Sequence, residues 1–211
     1  MNIIEKSWKK ILKNYSEPTV LKDKLLKPYF SKVKLAEPIL DIGYGTGYFS
    51  ELISRKSNNI FAVDLFDNTP ESSKVQYYNM DAASLNFPDK TFGDILMINV
   101  LSCVDTAKKR IKILSEANRV KKDTAKIYLV LMSESLHKTP IDDRLLKTES
   151  INSRKFKLTF TKKNNQKISF DDYLITKNEL EKYLKKTNLK LIKEHPFMHN
   201  GREIYKLFII E

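Results

Sequence analysis

The segment Asp41-Ile42-Gly43-Tyr44-Gly45-Thr46-Gly47 sets a carboxylate two residues ahead of three glycines spaced two apart. Glycines at that spacing let the backbone turn tightly and approach a ligand with no Cβ in the way. The chain has five glycines and three of them fall in this one turn, which argues against an ordinary loop. A carboxylate at position 41 would repel a pyrophosphate and attract an ammonium, so the turn suits a cationic ligand better than a dinucleotide. Asp64 ends the apolar run Asn59–Asp64, 17 residues beyond Gly47. An acid about there, at the end of a second strand, is placed for ribose hydroxyls. Asp81 follows a third short run and Asn99 ends a fourth.

These residues need a scaffold that brings strand ends together. Pro38–Asp41 reads as a strand, and Thr46–Arg55 as the helix after it, with Phe49, Leu52 and Ile53 inward and its N-terminus facing the ligand. Val75–Ala82 is a third strand. Asp94–Val100 is a fourth, nearly all apolar and therefore central. A helix over 106–120 would bury Ala107, Ile111, Leu114 and Ala117, and Ala125–Met132 is a fifth strand. Strands alternating with helices argue for a parallel sheet covered on both faces. Ahead of it, Trp8, Ile11, Leu12 and Tyr15 recur at helical spacing. A second helix over Val20–Phe30 would be kinked or divided at Pro28. Beyond Ser133 the pattern changes. Ser133–Ser153 is polar and irregular, whereas Lys155–Phe160 and Lys167–Tyr173 alternate like a β-hairpin. Thr176-x-x-Glu179 is a capping box for a helix carrying Leu180, Tyr183 and Leu184. Leu189–Glu194 and Glu203–Glu211 then close the chain as two strands, with Gly201 in the turn.

From Ala36 to Met132 and over the last forty residues the chain resembles the class I S-adenosylmethionine (AdoMet) methyltransferases. The resemblance is best to their small-molecule, type 11-like branch, which carries a Phe-Pro-Asp-x-x-Phe turn like Phe87–Phe92 before the fourth strand. It implies an α/β, Rossmann-like, seven-stranded and mostly parallel sheet with an antiparallel last strand, N-terminal helices, and a β-hairpin insertion after strand five. It also implies AdoMet as cofactor and S-adenosylhomocysteine as product. Asp41, Gly43, Tyr44, Gly45 and Gly47 would enclose the methionine end. Asp64 would bind the ribose, Leu65 would press on adenine, and Asp81 and Ala82 would read the adenine edge. Asn99 would lie beside the methyl group, its carbonyl helping to hold the amino group. Tyr15 would either close over the cofactor or pack in the core. Two places depart from the family. Lys121-Lys122-Asp123-Thr124 replaces its Pro-Gly-Gly turn, and Asn188 replaces a helix-ending glycine, though Asn tolerates the same left-handed cap. No Asn-Pro-Pro-Tyr type tetrapeptide follows the fourth strand, where Asn99-Val100-Leu101-Ser102 stands instead. That argues against methylation of nucleic-acid bases by that route.

At 211 residues the chain suits one domain, 1–211, with 1–34 as a helical cap and 133–173 as an insertion that would form a substrate lid. No apolar stretch is long enough to span a membrane, the start lacks a signal-peptide core, and Cys103 is the only cysteine. A cytoplasmic setting is the expectation. The net charge is +12, with nine lysines against three acids over 1–34 and six basic residues with no acid over 154–167. Such a balance would suit an anionic small molecule, or RNA or protein docking on the basic patches; solvated lysine faces explain it equally. Because the sulfonium already activates the methyl carbon, alignment matters most and a base is optional. His137, after the fifth strand, is the candidate catalytic base. His195, His199 and Tyr173 are lesser ones, and no metal cluster is evident. Three readings stay open: a small-molecule methyltransferase, one acting on RNA or protein, and a binding module without turnover. An NAD-dependent enzyme fits Asp41 and the glycine spacing less well.

Overall fold

A computed structural model of the chain describes residues 22–70, 74–135, 145–161 and 167–211. The expected first helix, with Trp8 and Tyr15, lies outside them. The described chain opens on a π-helical turn, Lys22–Leu26, that runs into α1, Lys27–Phe30. Pro28 falls in the first turn of α1, directly after the π-helical turn, so the helical run of this segment is divided there, as expected.

Strands β1 (Ile39–Ile42), β2 (Ile60–Asp64), β3 (Gln76–Asn79), β4 (Asp94–Ile98) and β5 (Ile127–Met132) alternate with helices α2 (Tyr48–Ser54) and α3 (Ala107–Val120). After β5 come three further strands, β6 (Leu145–Ser150), β7 (Lys155–Thr161) and β8 (Lys167–Tyr173). Helix α4 (Lys177–Lys186) and strands β9 (Leu191–His199) and β10 (Arg202–Ile210) complete the chain. Seven strands form one sheet in the order β3-β2-β1-β4-β5-β10-β9. β1 to β5 pair in parallel, and β10 enters antiparallel between β5 and β9. The order reverses between β1 and β4, and ligands of open α/β sheets bind beyond the strand ends at such a reversal.

The sheet is covered on both faces because its central strands are apolar on both. Ile39, Leu96, Ile98 and Val130 face a core with Phe30, Phe49 and Leu52. Leu40, Ile95, Met97 and Leu129 face another with Leu114, Ala117 and Leu180. The expected face of α3 is rotated: Arg110, Ile113, Leu114, Ala117 and Val120 are buried, while Ala107 is exposed. An arginine at a core position hid that stripe. The outer strand β9 carries Lys193, Glu194 and Pro196, residues that discourage further strand pairing. Thr176 caps α4 by accepting from the Glu179 N–H, and Asn188 takes the left-handed cap at φ 55°.

The insertion is larger than a hairpin. β7 and β8 pair as the alternation implied, and β6 joins β7 to make a three-stranded antiparallel sheet. The polarity of 145–150 concealed that strand. In register, Phe156 faces Asp172 and Leu158 faces Phe170, so these four share one face. Phe156, Leu158 and Phe170 pack into the core that holds Tyr44 and Met132.

Gly93, ahead of β4, has no room for a side chain: a Cβ there would lie 2.3 Å from the Ala36 carbonyl oxygen. Backbone cannot yield as a flexible side chain does. Gly93→Ala should destabilise the fold by about 3 kcal/mol, at the upper end of overpacking costs. The urea midpoint checks this, and an unshifted midpoint contradicts it.

Candidate functional site

The glycine turn folds as the spacing requires. Gly43, Gly45 and Gly47 have φ of 75°, 60° and 77°, all in the left-handed region. A Cβ on Gly43 would lie 2.4 Å from Val100 Cγ2, and one on Gly47 would lie 2.7 Å from the Tyr77 hydroxyl. The first of these contacts brings the end of β1 against the residue after Asn99, at the end of β4.

Two acids hold this turn from below. Asp41 is 2% exposed and accepts the Ser50 hydroxyl at 2.5 Å, which fixes the start of α2 to β1. Burial raises its pKa to about 6, helped by the neighbouring Asp64 charge and opposed by the Ser50 bond and by Lys22. Asp64 accepts the Gly45 N–H at 2.9 Å on one oxygen and the Phe66 N–H at 3.0 Å on the other. Burial pushes Asp64 up as well, against those backbone bonds. Leu65, next to it, is 38% exposed and presents an apolar surface beside the carboxylate.

Tyr44 is buried, and its role differs from the expected ligand contact. Its hydroxyl donates to the Phe66 carbonyl and accepts from the Asn68 N–H, both at 3.3 Å, and its ring meets Tyr77 edge-on. It braces the glycine turn against 66–68. Asp81 lies two residues past the end of β3, in a turn rather than on the strand. Its carboxylate accepts the Ala83 N–H at 2.9 Å and pairs with Lys109 at 3.2 Å; Ala82 beside it is half-buried.

Asn99 is the strongest departure from the expected roles. Its carbonyl, expected to hold a ligand amino group, accepts the Ser102 hydroxyl at 3.3 Å and the Cys103 thiol at 3.0 Å. Its side chain is 4% exposed, and neither Oδ1 nor Nδ2 has a hydrogen-bond partner among the described residues. Its backbone is left-handed at φ 58°. A buried amide without partners is costly and rare, and a polar ligand group would satisfy it. Together with the acids under the glycine turn, it fits a cofactor that presents polar and cationic groups.

The other candidates lie elsewhere. His137 and Tyr15 fall outside the described residues. His195 stacks on Tyr29 and meets Phe197 edge-on, a packing role on β9. Tyr173 lies under the Arg110 guanidinium, 3.6 Å from ring centroid to carbon. Sequence reasoning missed Ser50, Lys22 and Arg110. An arginine within an apolar helical stripe was the one signal available for them.

Residues 40–129 match the family model described as a methyltransferase domain. Among solved structures the chain is similar to the PH0226 protein of Pyrococcus horikoshii, at 18% identity over 95% of this chain and 97% of that one, with a TM-score of 0.70. It is similar to the CcbJ methyltransferase of Streptomyces caelestis, at 11% identity over 97% of each chain and a TM-score of 0.67. The glycopeptide N-methyltransferase MtfA complexed with AdoMet gives 16% identity over 88% of this chain and 85% of that one, with a TM-score of 0.66. No curated protein matches the sequence. Residues 40–129 thus match a methyltransferase domain model, and the chain shares the Rossmann-like fold of these solved structures. The MtfA structures with this fold hold AdoMet or S-adenosylhomocysteine.

Asp41 links this site to stability. Its folded pKa lies above its unfolded value, so the native state holds the extra proton between about pH 4 and 6 and loses stability as pH rises through that window. The ionised, buried carboxylate costs roughly 3 kcal/mol in the empty protein. Asp41→Asn should therefore melt higher than wild type at pH 7.5 and lose the pH 4–6 dependence, while binding AdoMet more weakly. Thermal melts across that range and calorimetry check both halves. A variant that melts lower at pH 7.5 contradicts the first.

Proposed function

We propose that the protein transfers the AdoMet methyl group to a nucleophilic O, N or C atom of a small molecule, mainly by aligning the two in line. The observation that carries the reading is the buried, partnerless Asn99 amide at the end of β4, next to Val100, which crowds Gly43 of the glycine turn. When bound, AdoMet supplies a methyl carbon already activated by the sulfonium.

The chain's own residues then bind, orient and exclude water. Asp41 orders the turn and attracts the cofactor's ammonium. Each Asp64 oxygen has a second acceptor site beyond its backbone bond, so both remain open to ribose hydroxyls. Leu65 offers the face on which adenine rests, and Asp81 and Ala82 flank its edge. Gly43, Gly45 and Gly47 let the backbone approach the methionine end. The domain runs over 1–211, with 1–34 as cap and 133–173 as lid. A small acceptor is supported by the acceptors of proteins with this fold: MtfA is a glycopeptide N-methyltransferase, and another has 1,6-didemethyltoxoflavin bound. The anionic acceptor that the net charge alone would suit is disfavoured by the acids at the site itself.

Calorimetric titration with AdoMet, S-adenosylhomocysteine and NAD tests the reading: the first two should bind at micromolar concentration and NAD should not. Asp64→Ala should weaken AdoMet at least about a hundredfold, the worth of one or two charge-assisted hydrogen bonds, while retaining the wild-type circular dichroism spectrum. Unchanged affinity in that variant would overturn the site assignment.

A further inference from the structure

The face that the insertion turns toward the core carries Phe156, Leu158, Phe170 and one charged residue, Asp172. Asp172 is 0% exposed. A carboxylate costs several kcal/mol to bury, and three of the four residues on this face avoid that cost by being apolar. β8 packs on the Leu101–Cys103 turn, which directly follows Asn99. Cys103 bonds to the Asn99 carbonyl, and Asp172 is the foremost charge acting on its thiol. Asp172 therefore stands on the strand that packs against the turn following β4 and Asn99.

The structure also puts a cation in this place. Lys22, from the first described turn, is half-buried, with the Asp172 and Asp41 carboxylates and the Cys103 thiol acting on it. Burial lowers its pKa, and those neighbours offset part of the shift. The two carboxylates thus pull against the cost of holding an ammonium there.

We propose that Asp172 contacts the methyl acceptor, and that the acceptor is a basic amine. The inference rests on the AdoMet reading above and names the substrate class of that same site. In a water-poor pocket a carboxylate gains far more from an ammonium than from a hydroxyl dipole. An alkanol also needs a base far stronger than a carboxylate, whereas an amine that has given its proton to solvent attacks without one. The amine nitrogen forms its new bond to the methyl carbon with its lone pair. The sulfur leaves with the electron pair of the old bond, and the nitrogen, which gave its proton to solvent before the attack, becomes a methylated ammonium whose charge the Asp172 carboxylate balances. Lys22 occupies the amine's place until the acceptor enters.

Sinefungin, the AdoMet analogue bearing a primary amine in place of the methyl group, probes this position without turnover. Its affinity is measured against that of S-adenosylhomocysteine, by calorimetry, in wild type, Asp172→Asn and Lys22→Met. Wild type should prefer sinefungin by about tenfold, and D172N should lose that preference with S-adenosylhomocysteine affinity held within about twofold, as expected for one charge-assisted contact. K22M should bind sinefungin about threefold tighter, because a competing cation is gone. That arm stands if D172N fails to fold. A preference unchanged in D172N, an equal loss of both ligands, or weaker sinefungin binding in K22M would each overturn the proposal. If neither nucleoside binds wild type, the AdoMet reading itself fails.

Discussion

The parts that surround the strand reversal are tied together by one buried guanidinium. Arg110, on α3, donates through Nε to the Leu101 carbonyl at 3.1 Å and through Nη2 to the Val104 carbonyl. Its Nη1 donates to the Tyr183 hydroxyl at 3.3 Å and lies 3.8 Å from Glu179. Its flat face covers the Tyr173 ring. Glu179 in turn holds Arg154 at 3.2 Å and accepts the Tyr183 hydroxyl. The turn after β4, helix α4 and both ends of the β7–β8 hairpin thus share one polar centre. Lysine could not replace arginine there, since a point charge lacks the fork and the stacking face. Together with the apolar packing of Phe156, Leu158 and Phe170, this centre holds the insertion against the turn after β4, since among the described residues its sheet makes no ladder with the main one.

The floor of the site follows a different constraint, lack of space. β1 and β4 end side by side, and Val100 occupies the volume that a Cβ on residue 43 would need. The chain turns there through left-handed conformations that only glycine adopts without strain. That crowding excludes water from Asp41, which raises its pKa and makes its ionised form costly in the empty protein. Stability is traded for an electrostatic field already aimed at a cation, the preorganisation that binding sites need.

How much could be read from the residues follows from the same distinction. Strands buried on both faces announce themselves as apolar runs, so β1, β2, β4 and β5 stand within two residues of their expected bounds. The glycine turn was legible because its backbone demands a residue type. The face of α3 was misplaced because Arg110 is polar by type and buried by position, a combination that only tertiary partners explain. β6 was missed because an outer strand of a small sheet needs little apolar alternation. The Asn99 role shifted from carbonyl to amide because Ser102 and Cys103 cap the carbonyl locally, a contact between near neighbours that no spacing rule records. Asp172 was visible as the charged member of an alternating strand, but its partner face became meaningful only once β8 lay against the turn after β4.

Charge shows most clearly why position outweighs composition. The chain carries +12, yet the carboxylates of Asp41, Asp64 and Asp172 gather where β1, β2, β4 and β8 end. Exposed lysines act over about 8 Å at physiological ionic strength before salt screens them. Buried carboxylates act through protein, where screening is far weaker and each charge counts for more. The outer lysines therefore influence what approaches the molecule, and the inner acids decide what is retained. A ligand matched to the total charge would be drawn in and then repelled at the strand ends. One carrying a localised cation meets carboxylates at the strand ends, and the same acids offset part of what burial costs Lys22.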